Sequence, residues 1–587
     1  MTDPIQTTRS ILIDPRRGDV EDDASSPEKR SMLAIAGSLL AEISLPKLAI
    51  AWILMIGLPG LMLGLAPLVG SAWTQALSER LGALAGLGPV LVLAGLFAVA
   101  WFGGRAAFRI VEKSFWSLNS LAVQPGYAIF REGLRHIAEA LLLRDADADR
   151  RATVNATIAG AAGLLSCLVA LGICTLAWPH TQWRGDLGAL ATPLALVVPA
   201  LANAVVVVGA MMAGASLVWG LADATMDQPR TVERLEEDLP GDAPWRVAHL
   251  SDIHIVGERY GMRIESGRAG PSGNHRLEKA LDRLAAIHAR DPLDVVLVTG
   301  DMTDAGRSAE WVEFARILAL HPELASRTLV LPGNHDLNIV DRANPARMDL
   351  PTSPFKRLRQ LRTLSAMAAV QGDRVRVLDA DRNAPGPTLD EAVAPHAAAI
   401  AAFADAGPLR LQVELAKLWA DVFPMVLPPA RPDGLGVILL NSNAETHFSF
   451  TNALGLVSAE QMTGILTLAR HYPQARWVVA LHHHLVEYPK PAKAFSERIG
   501  TALINGSWAV RQLKRIGSRM VAMHGHRHID WIGACGPVRI ISAPSPVMGG
   551  TDDLPTRFHI HRLAARPGGG LALLAPQTVD IEGDPPA

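Results

Sequence analysis

Four stretches of this chain carry no charged residue and are long enough to cross a bilayer: Leu48–Val69, Leu84–Gly103, Val154–Trp178 and Leu187–Ala222. A spanning helix needs roughly 20 consecutive apolar residues, so these runs predict a membrane region over 32–222 with four transmembrane helices. Gly57, Pro59, Pro67, Pro89, Pro193 and Pro199 fall inside the runs. Membrane helices tolerate them because neighbouring segments satisfy the backbone groups they free. Trp52, Trp73, Trp101, Trp178 and Trp219 lie near the ends, where an interfacial belt places them.

Orientation follows from the connections. Between the second and third runs stand Arg105, Arg109, Lys113, Arg131, Arg135, Arg144, Arg150 and Arg151, while the other two connections have only Arg80 and Arg184 as cations. The positive-inside rule makes the middle loop cytoplasmic, and with it both termini. The expected location is the inner (cytoplasmic) membrane, multi-pass, with the second half of the chain in the cytoplasm. Leu187–Ala222 reads either as one tilted helix or as a re-entrant pair, and the latter would put that half outside. The spans contain no carboxylate or cation, which points to an anchor rather than a transport path.

Residues 1–31 are polar and charged and read as a disordered cytoplasmic tail without a signal-peptide pattern. Met32–Leu45 is apolar but contains Glu42 and is too short to span, so it reads as an interfacial or packing helix. The net charge of -2 lacks the basic excess of a nucleic-acid binder. The three cysteines, Cys167, Cys174 and Cys535, form neither a disulfide framework nor a thiolate metal site.

After the last run the composition turns to Glu, Asp, Arg and Pro. Residues 223–243 read as a linker, 244–563 as a soluble domain, and the Gly/Pro/Ala-rich 564–587 as a flexible tail. Within the domain, strand-like runs alternate with helical ones, the pattern of an α/β fold. The strand candidates are 246–250, 294–299, 328–331, 437–440, 476–481 and 519–523. Five of the six run straight into a polar cluster: Asp252-x-His254, Gly300-Asp301-x-x-Asp304, Gly333-Asn334-His335-Asp336, His482-His483-His484 and His524-Gly525-His526-Arg527-His528. Open α/β folds gather ligands at the carboxyl ends of strands, so these loops should meet in one crevice. Asp, Asn and His without Cys suit Fe, Mn, Zn, Co or Ni, and the set is large enough for two divalent metal ions sharing a carboxylate. Such a pair clamps a phosphoryl group.

The ordered set Asp-x-His, Gly-Asp, Gly-Asn-His-Asp, His-His and Gly-His-x-His resembles the calcineurin-like metallophosphoesterase superfamily over 244–548. The resemblance implies a four-layer α/β/β/α sandwich and hydrolysis of a phosphomonoester or phosphodiester by metal-bound hydroxide. It also implies that Asp252, His254 and His528 hold the first metal, that Asp301 bridges, and that Asn334, His482 and His526 hold the second. His483 remains the alternative to His482. His335 would be the catalytic histidine near the phosphate or leaving group, oriented by Asp304. After Asp304 the chain reads Ala305-Gly306, without the Arg that protein phosphatases of this superfamily use. The bacterial cyclic-nucleotide-phosphodiesterase-like members are the nearest in style. The expected substrate is therefore a small-molecule or lipid phosphoester. The alternatives are a catalytically silent membrane sensor or scaffold, and a lipid phosphate or pyrophosphate hydrolase.

Other histidines read as surface or core residues: His275, His288, His321, His396, His447 and His471 occur singly, and His559 and His561 alternate along a late strand with an exposed face. His524 reads as a partner to a ligand or as an ordinary strand end. Asn441-Ser442-Asn443 ends the strand that lacks an assigned ligand and is a candidate for lining the crevice. The helical insertion at 353–433 reads equally as a packing appendage and as a cap over the metals.

Overall fold

The structure is a computed structural model that describes residues 57–82, 124–141, 148–185, 192–237, 243–257, 274–340, 354–379, 382–406, 409–446, 449–489, 503–548 and 555–581, with isolated positions 49, 53, 347, 349 and 501. The chain divides into two compact units, Ile43–Met226 on one side and Asp227–Ala587, with the first residues of the chain, on the other.

The first unit is helical: α1 Leu58–Gly82, α2 Gln124–Leu141, α3 Ala148–Ala177 and α4 Val197–Ala224. Among the described residues three helices are long and apolar enough to cross a membrane, Leu58–Glu79, Arg150–His180 and Pro193–Ala224. The first begins and ends ten residues beyond the expected Leu48–Val69, most of 48–56 lying outside the described residues, and α1 continues through Ser71 and Trp73 to Gly82. The run expected at 84–103 lies outside the described residues, as do the N-terminal tail and Met32–Leu45. Among the described residues of the fourth run, a 3-10 turn Pro193–Leu196 leads directly into the helix Val197–Ala224. Helices α3 and α4 approach closely: a Cβ on Gly163 would stand 2.8 Å from the Ser216 carbonyl oxygen and 2.9 Å from the Gly220 Cα. Small residues at such a crossing let the two backbones approach closely. Ser166 and Ser216 share a buried hydrogen bond of 2.9 Å there. Buried Asn203 donates to the Gly64 carbonyl at 3.1 Å and accepts from the Gln182 N–H at 3.0 Å, tying α1, α4 and the 181–185 segment together.

The second unit is a mixed α/β domain with two sheets. The larger has the order β1 (Arg230–Thr231), β11 (Trp531–Cys535), β12 (Val538–Ser542), β10 (Met520–His524), β9 (Arg476–Ala480), β8 (Leu435–Leu439), β7 (Met425–Leu427), β5 (Arg376–Asp379) and β6 (Ala384–Thr388). The smaller has the order β14 (Leu571–Asp580), β13 (Arg557–Ala565), β2 (Trp245–Leu250), β3 (Val295–Val298) and β4 (Thr328–Val330). The central strands β12, β10, β9 and β8 of one sheet, and β2, β3 and β4 of the other, run parallel. Parallel strands covered on both faces need continuous apolar sequence, and β3, β9 and β10 are buried throughout. One apolar core joins the two sheets, with Val247, Leu297, Val478, Met523 and Phe558 among its members. Helices α5 (His275–Arg290) and α6 (Ser308–Ala319) add Leu281, Leu284, Trp311 and Phe314 to it.

Three expectations change here. The linker 223–243 is partly built into the domain, since Arg230 and Thr231 pair with β11 and Glu236 bridges to Leu574. The tail 564–587 is not a loose appendage over its first part: Leu571–Asp580 forms β14, paired antiparallel with β13. Gly568 and Gly569, at φ 89° and 103°, make the tight turn of that hairpin. His559 and His561 lie on β13 but are buried rather than exposed, at 7% and 1% exposure. The helical insertion at 353–433 joins the body of the domain, placing β5, β6 and β7 in the larger sheet and Leu361, Leu364, Leu415 and Trp419 in the common core. Its first helix, α7 (Pro354–Gln371), packs on the short helical turn Asn334–Leu337 through a bond from the Arg359 Nε to the Leu337 carbonyl of 2.9 Å.

Candidate metal centre

Each polar cluster stands on the turn that follows a buried strand, β2, β3, β4, β9 or β10. The turns are sharp. Six non-glycine residues have positive φ among the described residues, and five of them are Asp252 (57°), His254 (51°), Asp301 (53°), His526 (77°) and His528 (52°). Non-glycine residues enter the left-handed region at a cost, and such strain persists where the surrounding structure over-determines it, commonly at functional sites.

The side chains of these residues converge. His528 Nε2 is 3.2 Å from Asp252 Oδ1 and 3.4 Å from His254 Nε2. His254 Nε2 is 3.8 Å from Asp301 Oδ2. On the other side of Asp301, the same Oδ2 is 3.3 Å from His482 Nε2, which is 3.0 Å from Asn334 Oδ1 and 3.1 Å from His526 Nδ1. Three sets of ligand atoms therefore gather within 4.8 Å: Asp252 with His254 and His528, His254 with Asp301 and His335, and Asp301 with His482 and His526. Asp301 and His254 each belong to two of the sets. Imidazole nitrogens and carboxylate oxygens are Lewis bases, and so many facing one another at about 3 Å suit divalent cations between them. The donor set of nitrogen and oxygen without thiolate fits the expected Fe, Mn, Zn, Co or Ni.

The sequence left His482 and His483 as alternatives. The geometry separates them: His482 faces Asp301 and Asn334, whereas His483 Nδ1 shares a hydrogen bond of 2.9 Å with Ser442 Oγ. His335 lies beside the first set, its ring centroid 4.6 Å from that of His254. Its Nδ1 donates to the backbone carbonyl of Asp304 at 2.7 Å, so the main chain of Asp304 orients the ring. The Asp304 carboxylate instead stands 3.9 Å from His254 Nδ1.

The supporting residues were largely invisible in the sequence. Metal-binding imidazoles are aimed by whatever their second nitrogen bonds. His482 Nδ1 donates to the Thr299 carbonyl at 2.8 Å and His526 Nε2 to the Thr501 carbonyl at 3.1 Å. Ser442 does not line the crevice as a ligand; its Oγ accepts from the backbone N–H groups of His482 and His483, each at 3.1 Å. Asn443 Nδ2 donates to the Pro332 carbonyl at 3.0 Å, linking that turn to the Asn334 turn. Buried Asp336 accepts from the N–H groups of Thr303 and Gly333, both at 2.9 Å, and locks the Asp301 turn to the Asn334 turn. His524 is fully buried behind the site and belongs to none of the three sets. The single histidines also stay outside them, His288 capping Leu293 N–H and His321 and His396 facing Asp282 and Glu414; His447 lies outside the described residues.

Charge is concentrated here. Burial, then repulsion by Asp301, pushes the Asp336 carboxyl up to about 7. Burial pulls the His482 imidazole down, but the Asp301 and Asp252 carboxylates outweigh it and hold it at about 9. Burial also raises the Asp252 carboxyl, yet His528 outweighs this and keeps it well below the usual range. At the rim, burial and then the Asp304 charge push the Glu310 carboxyl up to about 8. Folding thus favours protonated Glu310, so its contribution to stability is present below pH 4.5 and is lost as the pH rises through 8. Glu310→Gln keeps an oxygen to accept from the Ala305 and Arg307 N–H groups. Relative to wild type, the variant should gain on the order of 4 kcal/mol between pH 5 and pH 9, read as a pH-dependent difference in thermal midpoint. A difference that stays constant over this range would contradict the assignment.

Residues 246–530 match the family model for calcineurin-like phosphoesterases, so this part of the chain is a domain of that type. No curated protein sequence matches the chain. Similar solved structures include a dimetal phosphatase from Danio rerio, at 13% identity and a TM-score of 0.33, over 58% of this chain and 100% of that one. Another is PhoD, at 11% identity and a TM-score of 0.31, over 59% of this chain and 72% of that one.

Proposed function

We propose that this chain is a membrane-anchored, binuclear metal-dependent phosphoric ester hydrolase whose catalytic domain lies in the cytoplasm and whose layers run helix, sheet, sheet, helix. The observation that carries the reading is the convergence of six candidate ligand side chains, Asp252, His254, Asn334, His482, His526 and His528, around Asp301. Asp252, His254, Asp301 and His528 would hold one divalent ion, and Asp301, Asn334, His482 and His526 the other. Bound there, the ions would polarise the phosphoryl oxygens and supply a nucleophilic water at neutral pH. The protein's part is positioning. His335, its Nδ1 committed to the Asp304 carbonyl, turns its other nitrogen toward the departing oxygen and delivers a proton to it. Asp301 Oδ1 accepts from the His335 backbone N–H at 2.8 Å, so the acid and the bridging carboxylate hold a fixed separation.

The fit of the reading to small diesters rests on the sequence after Asp304, where Ala305-Gly306 replaces the arginine of the protein phosphatases. With metal-reloaded full-length protein, bis-p-nitrophenyl phosphate should be hydrolysed faster than p-nitrophenyl phosphate. Asn334→Ala should reduce the diester rate by on the order of 10²-fold or more, as expected when an ion loses a ligand. Equal rates for wild type and Asn334→Ala would remove the enzyme assignment. A monoester preference would keep the enzyme and change the substrate class.

A further inference from the structure

The segment between the second and third apolar runs reads as a cytoplasmic loop because of its arginines, yet α2 within it is inside out. A helix on a water-exposed surface turns its polar side outward and buries its apolar stripe. In α2, Ile129, Ile137 and Leu141 are 51%, 56% and 75% exposed, while Glu132 is fully buried and the side chains of Arg131, Arg135 and Glu139 are 19%, 13% and 14% exposed. The charges are paired inward. Arg131 bonds Glu132 at 2.8 Å and Asp223, near the end of α4, at 2.6 Å; Tyr127 Oη donates to the same Asp223 carboxylate at 3.0 Å, and Arg135 faces Glu139 at 3.4 Å. Burying charge is sustainable only with such pairing. The apolar face also touches the bundle at its edge, where Leu134 and Ala138 pack with Val154 and Ile158 of α3.

We propose that α2 lies in the membrane interface with Ile129, Ile137 and Leu141 against lipid acyl chains, held to the end of α4 by the Tyr127–Arg131–Asp223 contact. The inference rests on the membrane reading above and extends it to a segment that reads as soluble in the sequence. Four charged side chains, Arg131, Glu132, Arg135 and Glu139, in an 18-residue helix exclude a simple span. An interfacial helix needs one apolar face in the acyl boundary, and α2 has one. Helices α3 and α4 of the same unit expose apolar residues in the same way, Leu168 at 56% and Val218 at 68%, so a common apolar solvent accounts for all three. The arginines Arg131 and Arg135 are then neutralised within the protein and add little to the positive charge of the loop.

The test uses the full chain in phosphatidylcholine vesicles, carrying Ile137→Cys or Leu141→Cys labelled with an environment-sensitive fluorophore; Cys167, Cys174 and Cys535 are buried. Leu168→Cys on α3 serves as the membrane reference. Nitroxide-labelled lipids should quench Ile137→Cys and Leu141→Cys as fully as Leu168→Cys, with iodide in water quenching none of them. Quenching by iodide at 137 and 141, with lipid quenching at 168, would overturn the inference and leave the anchor intact. Protection from both quenchers, with the unlabelled Ile137→Cys variant forming a disulfide between copies on oxidation, would show a second chain on this face and overturn it too. Iodide quenching at all three positions would remove the membrane reading itself, and the inference with it.

Discussion

Asp301→Asn is expected to lower phosphodiester hydrolysis by on the order of 10³-fold or more, equivalent to roughly 4 kcal/mol of lost transition-state stabilisation. Asp301 is the one side chain shared by the ligand sets on both sides of the centre, 3.8 Å from His254 and 3.3 Å from His482. Asn has the same shape but no charge, and it tolerates the left-handed backbone of position 301, at φ 53°. The Oδ1 that accepts from the His335 N–H is kept, so the turn should fold unchanged. The loss should therefore appear as reduced metal content and reduced rate with an unshifted circular-dichroism spectrum. A rate within a few-fold of wild type would show that no bridging anion is needed.

Gly333→Ala should be nearly as damaging, through packing instead of charge. A Cβ at 333 would meet Asp301 Oδ1 at 2.1 Å and the Asp301 backbone nitrogen at 2.2 Å. These atoms cannot yield, because the Asp301 turn is pinned by the bond from Thr303 N–H to Asp336 and the Asn334 turn by the bond from Gly333 N–H to the same carboxylate. One methyl group must therefore separate the two turns that carry the bridging carboxylate and Asn334. Overpacking of this kind costs about 1–3 kcal/mol, and a displacement near 1 Å at such a centre costs on the order of 10²-fold in rate. Thermal midpoint and diester hydrolysis should both fall. A variant with wild-type values for both would contradict the close approach of the two turns.

The five polar clusters were legible because the chemistry and the fold coincide in them. A parallel strand buried on both faces must be written in continuous apolar residues, so its end is unmistakable when Asp252, Asp301, Asn334, His482 and His526 follow. Neighbouring residues on one turn are harder to separate. His482 and His483 differ only in which side of the turn they leave from, and that is set by Ser442, forty residues earlier, whose hydroxyl accepts from both of their N–H groups. A lone serine carries no such signal. Alternation along β13 places His559 and His561 on one face without saying what covers it. His559 turns out to bond Asp530 at 3.0 Å and to pack 5.8 Å from His561. Gly568-Gly569-Gly570 has the composition of a loose tail and also of a tight hairpin, and the buried run Leu571–Leu574 decides for the hairpin. The arginines of α2 count as loop charge in a linear reading, and only the fold shows Asp223 beside Arg131.

A titration tests the central claim most directly. Metal-stripped full-length protein is supplied with Mn²⁺ while hydrolysis of bis-p-nitrophenyl phosphate and bound metal are followed together. The rate should start near zero, rise with occupancy and level off at about two ions per chain, as a paired site with one shared carboxylate requires. A stripped protein that hydrolyses the diester at full rate, or one that binds two ions without gaining activity, would contradict it.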